Sequence, residues 1–399
     1  MRLPNYKVAI VAYSEIGLKS RPVRAHLENL LIQHLRAALK RRGIATETIT
    51  KEGGRIYIRG GESDTVARLA SRIFGVEYSA PAFESSIDLD AIIDPALELA
   101  NEIMVVGDSF AVDARRIGRH PYTSKDLEVK IGAEILGRLG QERGLRVNLK
   151  NPDKRIYIEA REKAAYIYSQ VYGGVGGFPY GSQGRVVALL TCDLYSAVAA
   201  WLMMKRGTEV VPLYLDAPSI LGSRCYEVTM SLVEALREYV PHGKLRLTLI
   251  PFEEVVKTIR SVVKDELRFR ILYERAAYML ASELSKLIRG EGIVTGCCPH
   301  PTAGYPLELL LSLRESASVP IFCPIIGLGE VEVSKLIEAV RLPAVSCFGG
   351  WERRVISSVG VPKVTVEEIK FLESRCGVNG KISEALEDRR TIEVVEKVS

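Results

Sequence analysis

The sequence predicts two small α+β units followed by a doubly wound parallel α/β domain. Three observations predict it. A length of 399 residues suits two or three domains. After Gly184, short apolar runs of strand length alternate with helical patterns, as buried parallel strands and their crossover helices do. Before that point, strands and helices mix in two shorter groups.

The first group, residues 1–80, opens with a strand at 7–13. A helix of about five turns follows over 23–42, with Leu27, Leu30, Leu31, Leu35, Ala38 and Leu39 at helical spacing. His26 and His34 fall on this charged helix as solvated side chains. Residues 55–59 alternate as a strand behind the Gly53-Gly54 turn, and 66–74 return to helix. The second group, 81–173, reads as helix (89–105), strand (109–114), helix (125–143) and strand (147–149). Two more strands follow at 155–160 and 164–172, with Pro152-Asp153 as a turn. The third, 174–362, places strands at 186–190, 210–215, 245–251, 293–295 and 320–325, with helices between. Ligands of such sheets sit at the carboxyl ends of the strands near the switch in strand order. Residues 363–399 read as a charged tail, a helix with an irregular end.

Charge is unevenly placed. Residues 1–172 hold 27 Lys and Arg against 22 Asp and Glu, and the rest balances at 27 of each. The whole excess of +5 therefore lies in the first two groups, where an acidic partner such as nucleic acid would be met. The longest uncharged stretch, 164–184, carries six glycines and Pro179, which excludes a membrane span there. With no secretory layout at the N-terminus, the expectation is a soluble cytoplasmic protein with no membrane partner. All seven cysteines lie after residue 190, and their odd number argues for reduced thiols rather than a disulfide framework. Asn and Gln together number only ten, which hints at a thermophilic source.

Two places could carry chemistry. A strand delivers Arg115 and Arg116, then Gly118, Arg119, His120, Tyr122, Thr123, Ser124 and Lys125 lead into a helix. Cations, an aromatic ring and hydroxyls in one loop can hold phosphates and stack on a base. A solvated surface loop has the same composition. Elsewhere, Lys205-Arg206 could touch RNA or simply cap a helix before Gly207, and the Gly173–Gly177 run reads as a linker.

The run Glu15-Ile16-Gly17-Leu18-Lys19-Ser20, with Arg24 behind it, resembles the opening of tRNA 4-thiouridine synthetases, the ThiI-like tRNA sulfurtransferases. Residues 110–128 resemble the THUMP-domain loop of that family. Asn151-Pro152-Asp153, residues 172–184, Trp201 to Gly207 and Val294-Thr295-Gly296 match in order as well. The resemblance spans about residues 5–345. It implies an N-terminal ferredoxin-like domain, a THUMP domain and a PP-loop pyrophosphatase domain. It also implies binding of the tRNA acceptor end through Lys19, Arg24, Arg115, Arg116, Arg119 and Lys125. The family also makes a homodimer a candidate.

The catalytic motifs depart from that pattern. Where the family carries S-G-G-x-D-S to cradle ATP phosphates, this chain has Thr191, Cys192, Asp193, Leu194, Tyr195 and Ser196. Side chains replace both glycines, and Asp193 adds negative charge to an anion site. Cys297 stands for the acidic residue after Val-Thr-Gly, Pro301 for a glutamine and Cys323 for an arginine. Gly329-Glu330 stands for an Asp-Lys pair, Arg270 and Tyr273 for a Cys-x-x-Cys pair, and Arg353 for the sulfur-carrying cysteine. Cys347 is a distant substitute for the last. The expectation is a degenerate PP-loop and a tRNA-binding protein without standard ATP-dependent sulfur transfer. The alternative is an active sulfurtransferase using ATP, Mg and a sulfur donor protein through an altered site. For Cys192, Cys297, Cys298 and Cys323 two readings stand: ligands of zinc or an iron–sulfur cluster, with His300 as a further ligand, or small hydrophobes filling a disused pocket.

Overall fold

The computed structural model describes residues 6–296, 312–344 and 364–395. The chain divides into two compact units, 1–177 and 178–399.

Unit 1 is built on one mixed nine-stranded sheet. Its strands are β1 (Val8–Ala12), β2 (Thr48–Glu52), β3 (Arg55–Arg59), β4 (Tyr78–Ser85), β5 (Ser109–Arg116), β6 (Arg146–Val147), β7 (Lys154–Ala160), β8 (Ala165–Tyr168) and β9 (Tyr172–Gly173). They lie in the order β2-β3-β1-β4-β8-β7-β5-β6, with β9 also pairing with β4. Helices α1 (Arg21–Arg41) and α2 (Ser63–Ala70) belong to the first half, and α3 (Leu89–Ile103) and α4 (Ser124–Ile135) to the second. A π-turn at Leu136–Gly140 joins α4 to a short α5 (Gln141–Arg143), which Gly144 ends in the left-handed region. The core of the second half gathers Ile92, Leu99, Phe110, Leu127, Ile131, Ile156 and Ile158 from α3, α4, β5 and β7.

Strand β4 links the halves. Its first residues pair antiparallel with β1, Tyr78 opposite Ala12 and Ala82 opposite Val8. Its last three pair with β8, Phe83 opposite Ile167. Tyr57 of β3 stacks on Tyr166 of β8 at 4.5 Å between centroids. Beside them the buried Glu159 carboxylate accepts hydrogen bonds at 3.0 Å from both Tyr78 and Tyr168 hydroxyls and pairs with Arg161 and Arg55. Buried charge is tolerated only when paired and hydrogen-bonded in this manner.

Unit 2 has β10 (Arg185–Leu189), α6 (Leu194–Lys205), β11 (Glu209–Asp216), α7 (Pro218–Leu221), α8 (Cys225–Arg237), β12 (Lys244–Pro251), α9 (Glu253–Val262) and α10 (Glu266–Leu287). After these come β13 (Ile293–Val294), β14 (Ile321–Phe322), α11 (Glu330–Val340), α12 (Val366–Cys376), α13 (Val378–Glu387) and β15 (Arg390–Val395). The sheet runs β14-β13-β10-β11-β12-β15, and all pairs are parallel except β12 with β15. The order reverses at β10, between β11 on one side and β13 on the other. The loop after β10 therefore opens at the switch point, where α/β sheets bind ligands.

The segment read as an irregular tail is part of this unit. β15 pairs with β12 from Lys244 opposite Val395 to Leu249 opposite Arg390. Ile369, Cys376, Val378, Ile382 and Ala385 of α12 and α13 join the main core with Phe252, Ile259 and Ile271. Arg268 pairs with Glu368 at 2.7 Å, and Arg275 with Glu373. High charge marked the exposed faces, while the apolar residues between them are helically spaced inward contacts. His34 differs from expectation too: at helical spacing from Leu27 and Leu31 it faces the core and is buried.

Candidate functional site

At the basic loop, β5 ends in Arg115 and Arg116, both exposed. Gly118 takes φ +100°, a left-handed turn that glycine adopts without strain. His120 stacks on Tyr122 at 5.3 Å, and its Nε2 lies 3.0 Å from the Ile117 carbonyl. Tyr122 is buried and donates to the Ile87 carbonyl at 2.5 Å, which anchors the loop. Thr123 and Asp126 then form a reciprocal cap that starts α4. The Thr123 amide and hydroxyl hold the Asp126 carboxyl below its usual pKa. The structure thus leaves Arg115, Arg116, Arg119 and Lys125 exposed around a braced turn, with Lys125 paired to Glu128 at 3.3 Å.

Lys19 and Arg24 are exposed at the junction of the Glu15–Leu18 turn and α1. Arg24 donates to the Lys19 carbonyl at 3.3 Å.

At the carboxyl end of β10, Asp193 is the N-cap of α6. Its carboxylate accepts the Ser196 amide at 2.7 Å and the Thr191 hydroxyl. Ser196 Oγ donates to the Asp193 carbonyl at 2.9 Å and accepts from the Thr191 amide at 3.3 Å. Burial of the carboxyl raises its pKa, opposed by the Thr191 hydroxyl and the Ser196 and Tyr195 amides. Amides at the start of α6 that could meet an anion already meet this side chain. Gly296, from the matching loop after β13, packs so closely that a Cβ there would lie 2.5 Å from the Ser196 amide nitrogen.

Cys192 stands between these residues in the left-handed region, φ +48°, and is disulfide-bonded to Cys225 with Cα atoms 5.3 Å apart. This corrects the expectation of reduced thiols for these two residues, and while the bond stands Cys192 offers a metal no thiolate. The fold, rather than spacing, brings the pair together: they lie 33 residues apart, one after β10 and the other at the head of α8. Nothing in the spacing of Cys225 signalled this pairing in the sequence.

Cys323 follows β14, half-buried against the main core. Among the described residues no group of three or more His, Cys, Asp or Glu could hold a metal. The zinc or iron–sulfur reading thus finds no ligand set among them. Cys297, Cys298, His300, Cys347 and Arg353 lie outside the described residues. Arg270 and Tyr273 are buried in α10, Tyr273 edge-on to Phe252. Lys205 lies over the Trp201 ring and Arg206 over Phe178 at the end of α6. No described helix is long and apolar enough to cross a membrane.

Three family models match in chain order: the ThiI ferredoxin-like domain over 8–79, the THUMP domain over 86–170, and the thiamine biosynthesis protein (ThiI) over 181–368. A probable tRNA sulfurtransferase of Methanosarcina acetivorans is 30% identical over 390 residues, covering 96% of this chain and 92% of that protein. That of Thermococcus kodakarensis is 32% identical over 343 residues, covering 84% and 88%. Among solved structures, a 4-thiouridine synthetase–RNA complex with bound ATP superposes with TM-score 0.82 at 22% identity, covering 98% of this chain and all of that one. The two α+β modules, the switch-point sheet that follows them in the chain and the near full-length likeness agree: the chain belongs to the tRNA sulfurtransferase family.

Proposed function

We propose that this chain is a tRNA-binding member of that family that does not activate ATP by the standard route. The N-terminal domains hold the acceptor end of tRNA through Arg115, Arg116, Arg119 and Lys125, with Lys19 and Arg24 in support. The observation that carries the catalytic part is the Asp193 carboxylate seated on the start of α6. A phosphate entering there would have to displace a bonded side chain and, wherever that side chain is ionised, meet like charge. The Cβ of Cys192 and of Asp193 also stand where the family's loop has bare backbone.

A second reading is favoured by one finding: a structural relative of nearly the same extent binds both RNA and ATP. In that reading the chain is an active sulfurtransferase making 4-thiouridine through an altered site. It would take ATP, Mg and a sulfur donor protein, with Cys323, Cys297, Cys298 and Cys347 among the cysteines outside the disulfide.

Equilibrium binding of ATP with Mg to the full chain, alongside AMP and thiouridine formation on tRNA, separates the two. Our reading expects no submillimolar ATP affinity and no AMP. Rapid AMP release overturns it in favour of the second. For the RNA part, Arg115→Ala/Arg119→Ala should weaken tRNA binding and lower the log–log salt slope by roughly two, one per lost phosphate contact. An unchanged slope means the loop does not meet phosphate.

A further inference from the structure

We propose that Cys192 and Cys225 form a reversible dithiol–disulfide switch that fixes the loop 191–196, with a dithiol as its redox partner. The inference holds whether or not the loop turns over ATP, because it concerns the state of two sulfurs and the backbone between β10 and α6.

Four observations carry it. Cys192 is one of three non-glycine residues at positive φ among the described residues, and its side chain is tied across to another element. A residue held in that region returns toward negative φ when its restraint is released. Its neighbour Asp193 caps α6, so a change at Cys192 moves a cap that holds the Thr191 hydroxyl and the Ser196 amide. Cys225 heads α8, a helix of 13 residues, whose N-terminal amides stabilise a departing thiolate. Both sulfur-bearing residues are buried, but Gly222, Ser223 and Arg224 before Cys225 are exposed and Gly222 sits at φ +83°. Opening of that short exposed segment is the proposed route by which a reductant reaches the bonded sulfurs.

The exchange balances. A thiolate of the dithiol attacks Cys192 Sγ, the bond between the two cysteines breaks, and Cys225 leaves as thiolate. The second thiol of the reductant then closes on its own bonded sulfur and releases Cys192. The protein gains two electrons and, on protonation, two hydrogens, and the dithiol becomes a cyclic disulfide.

The test uses the full chain equilibrated in mixtures of reduced and oxidised dithiothreitol. Samples are quenched in acid, their free thiols are alkylated, and unreduced peptides are mapped by mass spectrometry. A linked Cys192–Cys225 peptide should dominate in the oxidised mixtures, and alkylation of both in the reduced ones, in either direction of approach. Amide hydrogen exchange over 191–198 should be at least tenfold faster in reduced than in oxidised protein. Cys225→Ser should exchange at the fast rate in both. Since the parent is compared with itself, instability of that variant leaves the test intact. Two free thiols in the oxidised mixtures, linkage to a different cysteine, or loop exchange within twofold between the two states would each overturn the proposal.

Discussion

Glu159 shows how a single carboxylate can bind together two halves of a sheet. Burial alone would raise its pKa, but the guanidiniums of Arg55 and Arg161 and the hydrogen bonds from Arg161 and the Tyr78 hydroxyl outweigh burial and lower it. A depressed carboxylate pKa stabilises the fold above the unfolded-state value of about 4.3, and that stability is lost as pH falls through the folded-state pKa. Glu159→Gln should therefore cost about 3–5 kcal/mol near neutrality, since the buried Arg161 and the half-buried Arg55 lose their counter-charge. Its deficit against the parent in urea unfolding should shrink as the pH falls below about 4. A deficit independent of pH would assign the loss to packing. Nothing in the sequence marks this residue: its partners come from β3, β4, β8 and Arg161 just past β7, and only the assembled sheet brings the first three beside it. The exposure of Arg115, Arg116 and Arg119 was legible by contrast, because a cationic loop at a strand end declares itself locally.

At the scale of elements, apolar runs were read to within a residue or two wherever both faces are covered, as in β10, β11 and β12. Misses have separate causes. β2 is an edge strand with mostly exposed residues and no apolar alternation. β4 contains Pro81, which reads as a boundary but sits opposite Ala9 inside the ladder. β15, with Arg390 and Glu393 among Thr391, Ile392, Val394 and Val395, has no clean period-2 alternation, and its pairing with β12 makes it a strand. Two predictions belong here. Truncation after Asp388 removes β15 and bares the backbone edge of β12, so the shortened chain should unfold earlier and aggregate on heating. Light scattering during thermal denaturation reads this directly. Asp193→Ala should lose the α6 cap and about 1 kcal/mol, whereas Asp193→Asn, which keeps an acceptor oxygen, should stay within a few tenths of the parent. Equal losses for both would mean the charge, not the cap, is what the site requires.

For the molecule as a whole, charge partition and structural partition coincide. Unit 1 ends at Gly177, and the segment 173–177 is uncharged, so the unit keeps the entire positive excess. With its own core and continuous sheet it should fold alone. Residues 1–177 expressed separately should unfold cooperatively and bind tRNA with the salt slope of the full chain. A much smaller slope would transfer part of the RNA contact to the other unit. Order and class of the domains were legible because the family's motifs occur in sequence along the chain. The disulfide was not, because cysteine parity and spacing carry no information on which strand ends meet.

Because β4 hydrogen-bonds to β1 with its first residues and to β8 with its last, the ferredoxin-like and THUMP modules cannot pivot about it without tearing rungs from the ladder. Their outward cations are thus set on a caliper of fixed span. Under the proposed tRNA-binding role, an RNA would meet these cations at a spacing the ladder sets.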